Sequence, residues 1–139
     1  LYPTENELYE RFYPLSVLPS VLSVSDAVIL TLPLTDETRG LFDGEMLSHM
    51  KNTAVLINIS RGAVVDEDAL TAALSEKKLY GAVLDVFESE PLSQDSPLWD
   101  MENVVITPHN SFVSEKNSER LFSVIYGNLS GFLKGDKAE

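Results

Sequence analysis

Four short stretches of the chain, residues 27–32, 54–59, 82–87 and 104–106, are almost continuously apolar and rich in branched side chains. Without polar alternation, each predicts a strand buried on both faces of a parallel sheet. Helical periodicity lies between and around them. Thr4 with Glu7 makes a capping box for a short helix reaching about Arg11, and Asp43 can open another running to Met50. Asp66 can cap a third helix that carries Leu70, Ala73 and Leu74 on one side. Lys77 and Lys78 would sit at its negative end, with Gly81 just beyond. From about Ser114 a longer helix aligns Leu121, Val124, Ile125, Leu129, Phe132 and Leu133 in one stripe, ending near Gly135.

Strands alternating with helices predict an α/β fold: a partial Rossmann-like parallel sheet of about four strands, flanked by helices, with right-handed crossovers. Ligands of such sheets bind beyond the carboxyl ends of the strands. Pro33, Arg61, Glu90 and His109 each follow a strand end, so four loops are expected to meet at one crevice. Residues 91–97, with their Ser, Gln and Asp, read as a plain loop, and no internal repeat, heptad run or linker interrupts the pattern.

At 139 residues and 44% hydrophobic content the chain is expected to form one domain with one core. Its net charge of −12 argues against nucleic acid or an anionic membrane as partner, because both select basic patches. No apolar run approaches the roughly 20 residues of a spanning helix, which leaves the cytoplasm as the expected location. Zero cysteines exclude disulfides, thiolate metal sites and cysteine nucleophiles, and His49 and His109 lack metal-ligand spacing. The chain opens at Leu1-Tyr2-Pro3 without an initiator methionine and is expected to be a fragment.

The chemistry-bearing residues stand in three motifs, Asn58-Ile-Ser-Arg-Gly62, Leu84-Asp-Val-Phe-Glu-Ser-Glu-Pro-Leu92 and Ile106-Thr-Pro-His109. Arg61 precedes a glycine in a tight turn, where a guanidinium can project and grip a carboxylate through two hydrogen bonds. The competing reading is that it caps the strand end or pairs with Asp66 or Glu67. His109 follows Pro108, which restricts the backbone presenting the imidazole, and a ring titrating near neutrality can exchange a proton with a carbonyl oxygen. His49, among Met46, Leu47 and Met50, reads as an ordinary helix residue. Glu90, held extended by Pro91, and Glu88 are both candidates to support the imidazole; a solvated loop is the bland alternative for each. Asp85 interrupts an apolar run, so its carboxylate requires a backbone amide or a ligand amide as partner. Nucleophile triads, a Walker loop, paired glycosidase carboxylates and a G-x-G-x-x-G turn are all absent from the sequence.

In this order and spacing the motifs resemble the carboxyl-terminal half of the NAD-binding domain of D-isomer-specific 2-hydroxyacid dehydrogenases. The resemblance extends over about residues 19–135. It includes Ser25-Asp26, Leu32-Pro33-Leu34-Thr35 with Thr38, Gly62-Ala-Val-Val-Asp66, Ser96-Pro-Leu-Trp99 and Phe132-Leu-Lys-Gly135. It implies that Arg61 binds a 2-oxo acid carboxylate, that His109 is the acid/base, and that Glu90 rather than Glu88 is its partner. It also implies an NAD cofactor, NADP not excluded, lined by Leu32, Pro33, Thr38, Ile59, Ser60, Arg61, Asp85 and His109. Ser111 is expected to reach the nicotinamide end. The glycine-rich first βαβ unit and the substrate domain of that family would lie upstream of Leu1, so the chain is expected to hold cofactor weakly and to be inactive alone. A small 2-oxo or 2-hydroxy acid is the implied substrate, and a homodimer is an expected assembly. The alternative expectation is a non-catalytic dehydrogenase-like binding or oligomerisation module.

Overall fold

A computed structural model describes residues 11–135, so the expected Thr4/Glu7 capping box lies outside the described residues. The chain divides into two units, Leu1–His109 and Asn110–Glu139.

The first unit is built on four parallel strands, β1 (Ala27–Leu30), β2 (Val55–Asn58), β3 (Gly81–Leu84) and β4 (Val104–Ile106). They lie side by side in chain order, β1-β2-β3-β4. Register runs Leu30 to Asn58 to Leu84 to Ile106 across the sheet, and Ile29 to Ile57 to Val83 to Val105 in the adjacent row. Because side chains alternate faces, these rows belong to opposite sides. The first row and its companion through Leu56 and Ala82 point into the core, where Leu30, Leu56, Ala82 and Leu84 are 0–3% exposed. On the other side Ile29 and Val105 are 58% and 56% exposed. Burial on both faces, expected from the unbroken apolar runs, therefore holds for one face. The strand order explains this: right-handed crossovers that always step in one direction leave their helices on a single side.

That side is packed by α1 (Leu18–Leu22), α2 (Gly44–Ser48) and α3 (Glu67–Ser75), whose Leu22, Leu47, Leu70, Ala73 and Leu74 join one core with Phe42, Val64, Leu79 and Leu98. Asp43 caps α2 by accepting from the Met46 amide, and Asp66 caps α3 by accepting from the Ala69 amide at 2.9 Å. Both follow the sequence expectation. Removing a cap of this kind costs about 1 kcal/mol. Asp66→Ala should therefore lower the melting temperature by a few degrees, roughly 2–4 °C at this size; an unchanged melting curve would show that the cap carries no net stability.

The end of α3 differs from the expected one. Lys77, not a glycine, takes the left-handed position at φ 56°, while Gly81 is the first residue of β3. A Cβ on Gly81 would lie 2.5 Å from the Asn103 carbonyl oxygen, so this glycine serves close strand packing rather than a helix stop. The loop expected at 91–97 runs on into a 3-10 turn at Pro97–Asp100.

The second unit contains α4 (Asn117–Lys134), which starts three residues later than expected and ends as expected at Gly135. Its apolar stripe forms, with Phe122 and Tyr126 stacked at 5.9 Å between ring centroids, yet none of its residues is buried.

Candidate active site

β1, β2 and β3 end earlier than their apolar runs, so Leu32, Ile59 and Asp85 fall in the loops beyond them. With sequential strand order and neighbours about 4.8 Å apart, the loops after β2, β3 and β4 are adjacent at one edge of the sheet.

The turn after β2 is organised by Asn58. Its buried side chain accepts from the Ser60 amide (3.0 Å) and hydroxyl (2.7 Å) and donates to the Arg61 carbonyl (3.2 Å). An Asx-type turn of this sort bends the chain sharply at the strand end. Ser60 is consequently 4% exposed with its hydroxyl turned inward, whereas Ile59 is 40% exposed at the edge. Arg61 emerges exposed, and its Nη1 donates to the Ser60 carbonyl at 2.6 Å. Among the described residues it forms no ion pair with Asp66 or Glu67. Gly62 then passes against the backbone of the β3 loop; a Cβ there would lie 1.8 Å from the Phe87 carbonyl carbon.

In the loop after β3 the two glutamates separate. Glu90 Oε2 accepts from His109 Nδ1 at 2.7 Å, and Oε1 accepts from the Phe87 amide at 3.1 Å. Glu88 points elsewhere, accepting from the Glu67 amide at the start of α3 at 3.3 Å. Composition could not choose between them; the chain path does. The Glu90–Pro91 peptide bond is cis. The hydrogen bond from His109 holds the Glu90 carboxyl below its ordinary pKa despite the opposing effect of burial. The Phe87 amide and the charges of His109 and Arg61 act in the same direction. Arg61, Glu90 and His109 thus share one electrostatic neighbourhood.

His109 sits at φ 50° with its amide bonded to the Thr107 carbonyl (3.1 Å). A left-handed backbone at a non-glycine residue costs roughly 1–2 kcal/mol, and such outliers gather at functional positions. Asp85, 1% exposed, accepts from the Thr107 hydroxyl. One partner of its buried carboxylate is thus a side chain at the adjacent strand end, a residue that the sequence pattern did not single out. The register gives the reason: Leu84 opposite Ile106 sets Asp85 beside Thr107, a pairing across strands that local pattern does not reveal. Beside the Glu90–His109 pair opens a cavity of about 340 Å³ walled mainly by Phe87, Pro91, Leu92, Trp99, Ile106 and Pro108.

At the β1 end, Thr38 holds its own loop: its hydroxyl donates to the Pro33 carbonyl (2.7 Å) and accepts from the Thr35 amide (2.8 Å). Leu32 is half-buried and Pro33 exposed. Ser111 belongs to the second unit, and His49 is an exposed cap residue at the end of α2. No cluster of three or more metal-ligating side chains occurs among the described residues, and no described helix is long and apolar enough to cross a membrane.

A parallel α/β sheet with an arginine and a carboxylate–imidazole pair beyond its strand ends defines a dehydrogenase-type nucleotide-binding architecture. The chain belongs to the D-isomer specific 2-hydroxyacid dehydrogenases, matching the NAD binding domain of that family over residues 2–111. It is 45% identical over 132 residues to a glyoxylate reductase of Korarchaeum cryptofilum, covering 95% of this chain and 39% of the relative. It is 48% identical over 122 residues to glyoxylate/hydroxypyruvate reductase B of Pectobacterium carotovorum, covering 88% and 38%. A D-isomer specific 2-hydroxyacid dehydrogenase from Xanthobacter autotrophicus, solved with NADPH and MES, superposes with a TM-score of 0.86 at 42% identity. That match covers 99% of this chain and 56% of the other. The chain thus spans about two fifths of the length of these curated relatives.

Proposed function

We propose that the chain is the catalytic half-domain of an NAD(P)-dependent oxidoreductase that interconverts 2-oxo acids and D-2-hydroxy acids. The observation that carries this reading is the 2.7 Å bond between His109 and Glu90 beside Arg61. With the ionised Glu90 as acceptor, Nδ1 carries a proton, so Nε2 is the nitrogen that exchanges a proton with the substrate. In reduction, Arg61 grips the carboxylate of the oxo acid and His109 protonates the carbonyl oxygen as the carbonyl carbon accepts hydride. In the reverse direction Nε2 takes the hydroxyl proton, and Glu90 stabilises the imidazolium so formed. Positive charge from Arg61 and protonated His109 meets the oxyanion that develops between these states.

The donor set fits a nicotinamide nucleotide. Leu32, Pro33 and Ile59 offer apolar surface to ring faces at the ends of β1 and β2. Thr38 and Ser60 hold the backbone of those loops in place, and the buried Asp85 provides an acceptor for a carboxamide N–H. When bound, the reduced nucleotide supplies the hydride. NADPH in the Xanthobacter structure and the glyoxylate reductase relatives support NAD(P) and a small oxo acid such as glyoxylate. The net charge of −12 supports a small-molecule rather than a nucleic-acid partner. Residues 1–139 represent part of one nucleotide-binding domain, and on their own they hold nucleotide weakly without turnover.

Titrating the chain with NADH by nucleotide fluorescence, with and without glyoxylate, tests this. Saturable binding tightened by glyoxylate is expected; a signal that glyoxylate never alters, even at saturating nucleotide, would count against an assembled oxo-acid site. A second reading, a homodimer-forming association module without catalysis, draws on α4, whose Leu121, Val124, Ile125, Leu129, Phe132 and Leu133 are 56–76% exposed. Sedimentation of the chain distinguishes the monomer from that dimer.

A further inference from the structure

We propose that Glu67 and Glu88 are positioning residues, forming a reciprocal clasp that fixes the loop carrying Glu90 and thereby the Glu90–His109 pair. The inference rests on the reading of that pair as the acid/base unit. The Glu67 amide donates to Glu88 Oε1 (3.3 Å), and the Glu88 amide donates to Glu67 Oε2 (3.2 Å). Each carboxylate therefore holds the other residue's backbone across 21 positions of sequence.

Two carboxylates side by side repel, and nothing about core packing calls for them, since Glu88 is exposed and Glu67 half-buried. Burial, followed by the neighbouring charges of Glu88 and Asp68, raises the Glu67 pKa against the lowering effect of the Glu88 amide. The arrangement is tolerable because each oxygen meets a backbone N–H, one of them the first amide of α3, where helix N–H groups lack internal partners. The clasp acts on the segment whose placement matters. Gly62 lies against the Phe87 carbonyl and Glu88 amide from one side, Glu67 holds that amide, and two residues later Glu90 meets His109. Without the clasp the loop would lose the hydrogen bonds that hold Glu88, and the 2.7 Å contact would have to be found from a broader set of backbone positions.

The test uses the 139-residue chain, with the carboxyl carbon of Glu90 followed by NMR during a pH titration and melting temperature measured alongside. In the unsubstituted chain Glu90 titrates below ordinary glutamates. Glu67→Ala and Glu88→Ala should each move its midpoint upward as the contact with His109 loosens. Glu67→Gln and Glu88→Gln, which keep an acceptor oxygen and remove the repulsion, should leave it in place. Should Glu67→Ala not fold, Glu88→Ala at the exposed partner carries the same comparison. Alanine variants that melt earlier yet leave the Glu90 midpoint unmoved would overturn the positioning role, since a merely structural clasp does that. An ordinary Glu90 midpoint in the unsubstituted chain would instead remove the Glu90–His109 pair, and with it the functional reading.

Discussion

Replacing His109 by alanine should lower turnover by about 10²–10⁴-fold, the usual contribution of a positioned general acid. The assay is glyoxylate reduction by a chimera in which this chain replaces the aligned segment of the Korarchaeum cryptofilum reductase, 45% identical over 132 residues. Affinity for NADH should stay within about twofold, because the loss falls on a step made in the transition state rather than on binding. The expectation follows from the site: His109 is strained at φ 50° and bonded to a carboxylate whose pKa it lowers, an arrangement with no packing purpose on an exposed residue. Turnover that survives His109→Ala would remove the imidazole from the mechanism. A large rise in the NADH dissociation constant with turnover intact would assign it to cofactor binding.

Gly62→Ala should be the most damaging single methyl in the first unit. The added Cβ would sit 1.8 and 2.0 Å from the Phe87 carbonyl atoms and 2.4 Å from the Glu88 nitrogen, all backbone that cannot rotate away. Overpacking of this kind costs typically 1–3 kcal/mol or more, which corresponds to a melting temperature lower by roughly 2–12 °C for a chain of this size. Relief requires the β3 loop to retreat, which draws Glu90 from His109. The variant should therefore lose chimera activity beyond what its stability predicts. Gly44→Ala is the control, since its nearest neighbour is the Ala69 methyl at an ordinary 3.8 Å. Equal melting temperatures for the two variants would mean that the loops are not packed as closely as the geometry states.

Much of the candidate site was legible in the primary structure as residues that the fold brings together, and the gaps in that reading have physical causes. The arginine, glutamate and histidine each follow an apolar run, and a parallel sheet necessarily collects such residues at one edge. The choice between Glu88 and Glu90 was not legible from residue chemistry, because two carboxylates two positions apart differ only in where the loop turns. Resemblance to the family selected Glu90; the contact with His109 and the turn of Glu88 toward α3 supply the spatial reason. Asn58 was hidden inside an apolar run, although an asparagine at a strand end before Ser-Arg-Gly is a turn signal in its own right. Thr107 and the Glu67–Glu88 clasp join residues about 20 positions apart, beyond the reach of local pattern.

Local chemistry thus determined the elements: branched apolar runs made strands, Asp43 and Asp66 made caps, and strand-end positions marked the chemistry-bearing residues. Those features depend on short-range sterics and hydrogen bonding, which a linear reading can follow. Strand order, the open sheet face at Ile29 and Val105, the role of Gly81 against Asn103, and the partners of Asp85 and Glu90 were decided only when the chain folded back on itself. They depend on which backbone meets which across many residues, and that is settled by packing the whole sheet rather than by any one segment.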